Sequence, residues 1–374
     1  MTAMRRTARA IAHPVLLGLG TAVPAHAMAQ HEAATLAVRL CGHTEETAAL
    51  LPLLYRRTQV ATRGSVLLDG SNGDGLRQTF FQPAGPSQDR GPTTRQRMER
   101  YAQEAETLAL AATRQTLQQA QCDPQRISHL VTVSCTGFAA PGVDIALMKQ
   151  LRLRRTLERT HVGFMGCHGA LNGLRVARAI TQQDPRACVL MCAVELCSLH
   201  FSYAEDPERM VANALFADGA ASVVLGHAKT ASRDAWQVAA NGACLFPDSE
   251  EAMRWQIGDH GFEMTLSARV PGLIRAHVRP WLARWLKTHH LRIDDVRSWA
   301  IHPGGPRVLS AVAGALSLRP AITEISRQVL STCGNMSSAT TLFILERLIK
   351  QHAPRPCVAL AFGPGLAAES ALFM

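Results

Sequence analysis

Two short stretches of this chain, 129–134 and 187–194, are almost continuously apolar, with a segment of helical period between them. Strands that hydrophobic have both faces covered, so they belong in a sheet with helices packed above and below. The alternation recurs. Positions 15–21, 220–225, 298–302 and 357–362 read as further core strands, the last of them as the final strand of the chain. Segments 46–57, 94–121, 169–180, 270–289, 307–316 and 339–351 read as helices. Within 94–121, Met98, Tyr101, Ala105, Leu108, Ala109 and Ala112 recur at helical spacing and give one apolar face. The fold class is α/β, and 374 residues are enough to bury a large core.

Composition excludes several functions. With 47% hydrophobic and 18% charged residues the chain is globular rather than disordered. The longest apolar runs, such as 309–318, are broken by Gly and Ser and are too short to span a membrane. The net charge of +10 comes from scattered Lys and Arg without aromatic interleaving, which argues against nucleic acid and suits polyanionic substrates. Ten cysteines in mostly apolar runs read as reduced, buried thiols of a cytoplasmic protein. Cys188, Cys192 and Cys197 lack Cys-x-x-Cys pairing and lie in an apolar run, so they read as core, and no metal site is expected. Arg5-Arg6, the apolar stretch 14–23 and Ala25-His26-Ala27 imitate a secretion signal, but Gly18, Gly20 and Pro24 spoil its apolar centre.

The chemistry starts from Cys167, in Gly163-Phe164-Met165-Gly166-Cys167-His168-Gly169-Ala170. A cysteine ringed by small residues, directly before a helical pattern, is expected to present a thiolate to the positive end of the helix dipole. The glycines leave room for an acyl group. Two later segments supply partners: Ile301-His302-Pro303-Gly304-Gly305-Pro306 and Cys333-Gly334-Asn335-Met336-Ser337-Ser338. An imidazole takes a proton from sulfur, and a carboxamide NH₂ stabilises an oxyanion. Together they read as a Cys/His/Asn acyl-transfer enzyme. Taken singly, His302 reads as a strand-end histidine and Asn335 as a turn or N-cap residue. His168 has no role in this reading, and Asp218 reads as a structural turn contact.

Those motifs, in that order and followed by Phe362-Gly363-Pro364-Gly365-Leu366, resemble the type III polyketide synthases of the chalcone and stilbene synthase family. The likeness runs from Gly18-Leu19-Gly20 to that terminal motif, and Ser134-Cys135-Thr136-Gly137 and Glu195-Leu196-Cys197-Ser198 have a bacterial look. It implies a thiolase-like αβαβα layered fold of two pseudo-repeated halves, here 1–235 and 236–374, although no internal sequence repeat is visible. It also makes 15–21 the first core strand rather than a cleaved signal. The implied activity loads an acyl-CoA starter on Cys167 and extends it with malonyl-CoA by iterative decarboxylative Claisen condensation. Cyclisation to an alkylresorcinol, alkylpyrone or related polyphenol follows. His302 and Asn335 would stabilise the enolate, and Phe216 would assist decarboxylation. Arg57 would contact CoA, with Gly304, Gly305 and Pro306 beside the CoA chain. Cys135, Ala140 and Met264 would shape the cavity, as would Gly363, Pro364 and Gly365. Ala140 stands where plant members reach into a partner's cavity, so a homodimer is implied. Small Ala140 and flexible Met264 favour an alkyl starter over an aromatic one. The substrates are CoA thioesters and no cofactor is implied. The alternatives are a chalcone-type enzyme using an aromatic starter, a ketoacyl-ACP synthase III or hydroxymethylglutaryl-CoA synthase relative, and a non-catalytic acyl-CoA scaffold.

Overall fold

Alternation of side chains along two sheets builds the molecule in five layers. The computed structural model describes residues 13–42, 44–70, 77–85, 90–227 and 235–374. The first sheet contains β1 (Val15–Ala22), β2 (His129–Ser134), β3 (Glu158–Gly163), β4 (Val189–Leu196) and β5 (Asp218–Gly226), in the order β1-β5-β4-β2-β3. The second contains β6 (Val238–Leu245), and a separate hairpin follows it, β7 (Met253–Gly258) and β8 (Gly261–Leu266). Strands β9 (Ser298–Ile301), β10 (Cys357–Gly363) and β11 (Ala367–Phe373) complete the second sheet in the order β9-β10-β11-β6. The helices that shape the site are α1 (Gln30–Cys41), α2 (Glu45–Arg57), α3 (Thr94–Gln119), α4 (Gly169–Gln183), α5 (Pro207–Leu215), α6 (Val270–Lys287), α7 (Pro306–Leu316) and α8 (Thr340–Lys350).

The layers follow from the two-residue period of a strand. In β10, Cys357, Ala359 and Ala361 face a central core, which also takes Leu171 and Leu174 of α4, and Leu342 and Phe343 of α8. Val358, Leu360 and Phe362 face the opposite way, onto Ile274, Val278 and Leu282 of α6 and Leu309 of α7. In β4, Val189, Met191 and Ala193 join the same central core, while Leu190, Cys192 and Val194 meet Ala105, Leu108 and Ala109 of α3. The order is therefore α3, first sheet, α4 with α8, second sheet, α6 with α7.

The two halves repeat a topology that the sequence does not advertise. In each sheet the first strand is antiparallel to the last, the last is antiparallel to the one before it, and that one runs parallel to an earlier strand. Cys135, directly after β2, and His302, directly after β9, thus occupy equivalent strand ends. Cys167 before α4 and the 335–338 loop before α8 likewise precede the two central helices.

Several boundaries differ from the sequence reading. The chain does not end its sheet at 362: β11 follows and pairs along its length with β10 and β6. Its Ala-rich residues are buried on both faces and carry no alternating pattern. Strand β4 starts two residues later than expected, because Ala187 N–H donates to Asp184 O in a turn (2.9 Å). Strand β3 and the hairpin β7–β8 also escaped the apolar pattern, since β3 is mostly exposed and the hairpin mostly half-buried.

Residues 15–22 do form the first core strand, paired antiparallel with β5. Gly18 and Gly20 let α3 lie directly on it: a Cβ at Gly18 would stand 2.5 Å from Thr116 O, and one at Gly20 2.6 Å from Ala112 O. Thr116 Oγ1 then accepts Gly20 N–H (2.9 Å) and donates to Ser222 O (2.9 Å), joining helix to both strands. Gly20→Val is expected to destabilise the protein by about 3 kcal/mol through overpacking, read as a lowered thermal midpoint. An unchanged midpoint would mean that α3 does not press on β1.

Candidate active site

The turn that carries Cys167 is held by close backbone approach. Gly166–His168 forms a single 3₁₀ turn running into α4. Gly166 has φ +73°, and a Cβ there would collide with Pro364. Gly363 leaves no more room, because its Cβ would stand 2.6 Å from His168 Nε2. The Gly-Cys-His turn and the Gly-Pro-Gly loop of the second half are thus pressed together, and glycine is what both contacts demand.

The 335–338 loop approaches the sulfur from the second half. Ser337 Oγ–H donates to Cys167 Sγ at 3.6 Å and lies 3.0 Å from Cys135 Sγ. Asn335 Oδ1 accepts the Ser337 N–H (2.9 Å), which fixes the carboxamide and leaves its NH₂ to hydrogen-bond the sulfur. The Asn335 backbone is tied to Phe216 by a pair of hydrogen bonds, Asn335 N–H to Leu215 O and Ala217 N–H to Asn335 O, both 2.9 Å. Arg63 adds a clamp: its Nη1 donates to Phe216 O (3.0 Å) and to Asn213 O.

His302 is reached through the sheet. Its N–H donates to Leu360 O (2.8 Å), extending the β9–β10 ladder, and β10 ends at the Gly363 that touches His168. The His302 side chain is 1% exposed, and neither ring nitrogen has a hydrogen-bond partner among the described residues. A buried imidazole left open at both nitrogens carries a desolvation cost that a bound substrate would relieve.

Burial also decides the charges. It pushes the Cys167 thiol up to about 12, reinforced by the Glu195 charge and opposed by the hydrogen bonds from Ser337 and Asn335. It drives His302 down to about 3, helped by neighbouring His168. The resting thiolate expected from the helix dipole is therefore corrected: the lone sulfur anion is disfavoured because Cys167 lies wholly inside the protein. Both shifts penalise isolated charge.

Glu195 organises the wall. Its carboxylate accepts from Cys135 N–H (3.0 Å), Thr136 Oγ1 (2.7 Å) and Ser338 Oγ. It is wholly buried, and burial raises its pKa against those hydrogen bonds. Asp218 accepts from Ser198 N–H (2.8 Å), Ser198 Oγ (2.6 Å) and Val66 N–H (2.9 Å), a turn-holding contact.

Two cavities meet here. A hollow of about 20 Å³ touches Cys167, Cys135, Ser337 and Pro364. A chamber of about 680 Å³ lies beyond, walled by Ala33, Leu36 and Leu40 of α1 and by Leu67, Phe81 and Phe201. Cys197, Phe216, Trp255 and Met264 line both, so they form the partition between them. Trp255 is fixed there by its Nε1–H donating to Cys135 O (2.7 Å).

Of the residues marked from sequence, Cys167, Asn335, Phe216, Cys135, Met264 and Pro364 line the hollow or hydrogen-bond to groups that do, and His302 adjoins His168. Arg57, the last residue of α2, is exposed and lines neither cavity, whereas Arg63, Arg90 and Arg209 line the chamber. Ala140 is exposed outside both cavities. Gly304, Gly305 and Pro306 lead into α7 and also lie outside their linings, as do Gly363 and Gly365. Cys188 and Cys192 pack against α3 while Cys197 faces the cavities, so the trio does not converge. Among the described residues no group of three His, Cys, Asp or Glu side chains is placed to hold a metal ion. Sequence reasoning missed Trp255, Ser337, Glu195 and Arg63. An acid inside an apolar strand marks Glu195, and Ser337 lies in the quoted Gly-Asn-Met-Ser-Ser motif, but nothing in the sequence singles out Trp255.

Residues 1–229 match the family model for the chalcone and stilbene synthase N-terminal domain, and 237–374 match that for the C-terminal domain. The chain is 31% identical over 371 residues to the α-pyrone synthesis polyketide synthase-like protein Pks18 of Mycobacterium tuberculosis, covering 96% of this chain and 90% of that protein. It is 35% identical over 361 residues to the 1,3,6,8-tetrahydroxynaphthalene synthase of Streptomyces peucetius, covering 94% and 90%. The crystal structure of PKS-I from the brown alga Ectocarpus siliculosus superposes with a TM-score of 0.89 at 31% identity, covering 96% of this chain and 98% of that one.

The electrostatics make a direct test of the Cys167–His302 pair. If His302 accepts the Cys167 proton, then without the imidazole the thiolate forms as a lone buried anion. A raised thiol pKa means that its reactive fraction grows as pH rises. In His302→Gln, alkylation of Cys167 by iodoacetamide at pH 7 is expected to slow about tenfold or more and to keep climbing beyond pH 9. Mass spectrometry of the Cys167 peptide reads the rate, and equal rates at pH 7 would remove His302 as the proton acceptor.

Proposed function

Since the chain belongs to the chalcone and stilbene synthase family and is a type III polyketide synthase, an acyltransferase, we propose that Cys167 is its acyl-bearing sulfur and that it takes alkyl starters. The observations supporting this reading are Cys167 in a buried hollow, hydrogen-bonded by Ser337 and Asn335, and the His302 imidazole, buried next to the His168 of the same turn with both nitrogens unpartnered among the described residues. Loading begins when Cys167 gives its proton to His302. The thiolate attacks the acyl-CoA carbonyl, and the departing CoA sulfur takes that proton back. Thioester exchange needs little driving force, so position is the main requirement.

Extension uses the same donors. When malonyl-CoA loses CO₂, negative charge gathers on the thioester oxygen, where the Asn335 NH₂ and a His302 N–H stabilise the enolate. The apolar Phe216 ring disfavours the carboxylate and favours neutral CO₂. The enolate carbon then attacks the Cys167 thioester, and the thiolate leaves as the new carbon–carbon bond forms. Each step balances with the two thioesters and these side chains, so we assign no cofactor a role.

The alkyl starter rests on volume and lining. The hollow at Cys167 is too small for a growing chain, whereas the adjoining chamber is larger and mixed. Its apolar side, from α1, Leu67, Phe81 and Phe201, suits an alkyl tail, and charged residues such as Arg90, Asp206 and Arg209 stand in the rest of its lining. Flexible Met264 and the Trp255 ring in the partition must yield for the two to communicate. An alkylresorcinol or alkylpyrone is the product class that follows, and one relative's name speaks of α-pyrone synthesis. The exposed side chains of Phe138, two residues before Ala140, and of Met165 support a homodimer. Sedimentation velocity is expected to give a particle of twice the chain mass, and a monomer at micromolar concentration would exclude it.

The function is tested with radiolabelled malonyl-CoA and a panel of alkanoyl-CoA starters of increasing length beside an aromatic one. Alkanoyl starters are expected to give CO₂ release and triketide or tetraketide products, and Cys167→Ala none. Turnover of the aromatic starter alone would overturn the alkyl assignment, and a demand for malonyl-ACP with one condensation would overturn the iterative one. Trp255→Gly, which opens the partition, is expected to shift products towards more extensions. An unchanged product profile would show that the ring is not the limit.

A further inference from the structure

We propose that His168 is a positioning residue that fixes how Cys167 is presented, through a buried hydrogen-bonded chain to the second half of the molecule. The inference rests on the reading of Cys167 as the acyl-bearing sulfur. His168 Nδ1 lies 2.7 Å from Asn172 Oδ1, Asn172 Nδ2 donates to Glu369 Oε1 (3.0 Å), and Glu369 Oε2 pairs with Arg175. The chain runs from the nucleophile's turn through the first turn of α4 to β11. Its carboxylate end accepts only, so the Asn172 carboxamide must turn its NH₂ to Glu369 and its oxygen to the ring. The imidazole therefore holds its proton on Nδ1 and donates.

The ring's other edge is equally constrained. Its Nε2 lies where any side chain at Gly363 would intrude, so the imidazole is boxed between α4 and the end of β10. The charged and titratable groups facing it are Cys167 in its own turn, Arg175 on α4, Glu369 on β11 and His302 after β9. Burial, Arg175 and His302 all oppose a second positive charge here, so the ring remains a neutral donor of fixed geometry. An apolar ring would fill the same slot without the desolvation that this chain carries. What the chain adds is direction: a hydrogen bond one residue from the sulfur sets the angle of the turn relative to Ser337 and Asn335. That is how outer partners orient a reacting group in a preorganised site.

The test compares three variants in the full-length protein. In His168→Phe, Cys167 alkylation by iodoacetamide at pH 8 and kcat for decarboxylation of radiolabelled malonyl-CoA with hexanoyl-CoA are each expected to fall about tenfold, with KM held within about twofold. His168→Asn, whose NH₂ overlays the Nδ1 donor, is expected to recover both rates to within about threefold of the original. Unchanged rates in the Phe variant, or an Asn variant as slow as the Phe one, would overturn the proposal. Should the Phe variant fail to fold by thermal melting, Asn172→Ala removes the acceptor alone, and the same slowing is expected. Unchanged rates there would overturn it too. Product formation by Cys167→Ala would instead overturn the parent reading, an outcome independent of the alkylation rates.

Discussion

The site depends on one short backbone pairing that joins the two halves at the wall of the Cys167 hollow. Leu215 and Ala217 bond both ways with Asn335, so the partition ring of Phe216 and the carboxamide of Asn335 cannot move independently. Backbone pairing tolerates far less play than a side-chain contact, and it fixes a donor and an apolar wall in one step. Arg63, bonded to the Phe216 carbonyl, and Glu195, bonded to Ser338 and to Cys135, brace that junction on either side. The five-layer packing delivers the strands to this junction, and the loops complete it.

Enclosure has an electrostatic consequence. Cys167, His302 and Asn335 are 6%, 1% and 2% exposed, so any net charge among them is opposed by lost hydration. The pocket tolerates a proton moving within it far better than one entering or leaving. Acyl transfer and decarboxylative condensation both fit that constraint, because each passes charge between groups inside the pocket and ends with it neutral. In the roles proposed for them, Asn335 and His302 would act as stronger donors towards a developing oxyanion in this enclosure, since water would not compete for them.

Much of this was legible in the sequence, and the rest was hidden for physical reasons. Cys167, His302 and Asn335 were readable because small residues and turn-forming motifs frame them, and close backbone approach at Gly166 and Gly363 requires that frame. The core strands β2, β4, β5, β9 and β10 were readable because burial on both faces leaves an unbroken apolar run. Strand β11 was not: its Ala, Glu and Ser residues are buried only because two neighbouring strands and the Asn172–Arg175 pair receive them. The duplication was invisible because topology repeats through strand order and direction, and side chains need not. Charge was the largest departure. Sequence showed the helix end that favours a thiolate but not the depth of burial that outweighs it.

Trp255 shows how a distant hairpin reaches the site. It belongs to a hairpin outside both sheets, with an exposed tip and no core pattern, yet its indole separates the hollow at Cys167 from the chamber beside it. The hairpin is anchored at several points. Phe262 N–H donates to His200 Nδ1 (2.9 Å), Arg209 pairs with Glu263 (2.7 Å), and Leu266 N–H donates to Glu208 (2.9 Å). Two of these partners lie on α5, the helix that ends at Phe216, so the two rings of the partition are carried by mutually anchored elements. Widening the passage therefore requires displacing side chains rather than bending the sheets. On the proposed roles, product length would change through the hairpin while the sulfur, imidazole and carboxamide keep their places, which would separate the control of what is made from the chemistry that makes it.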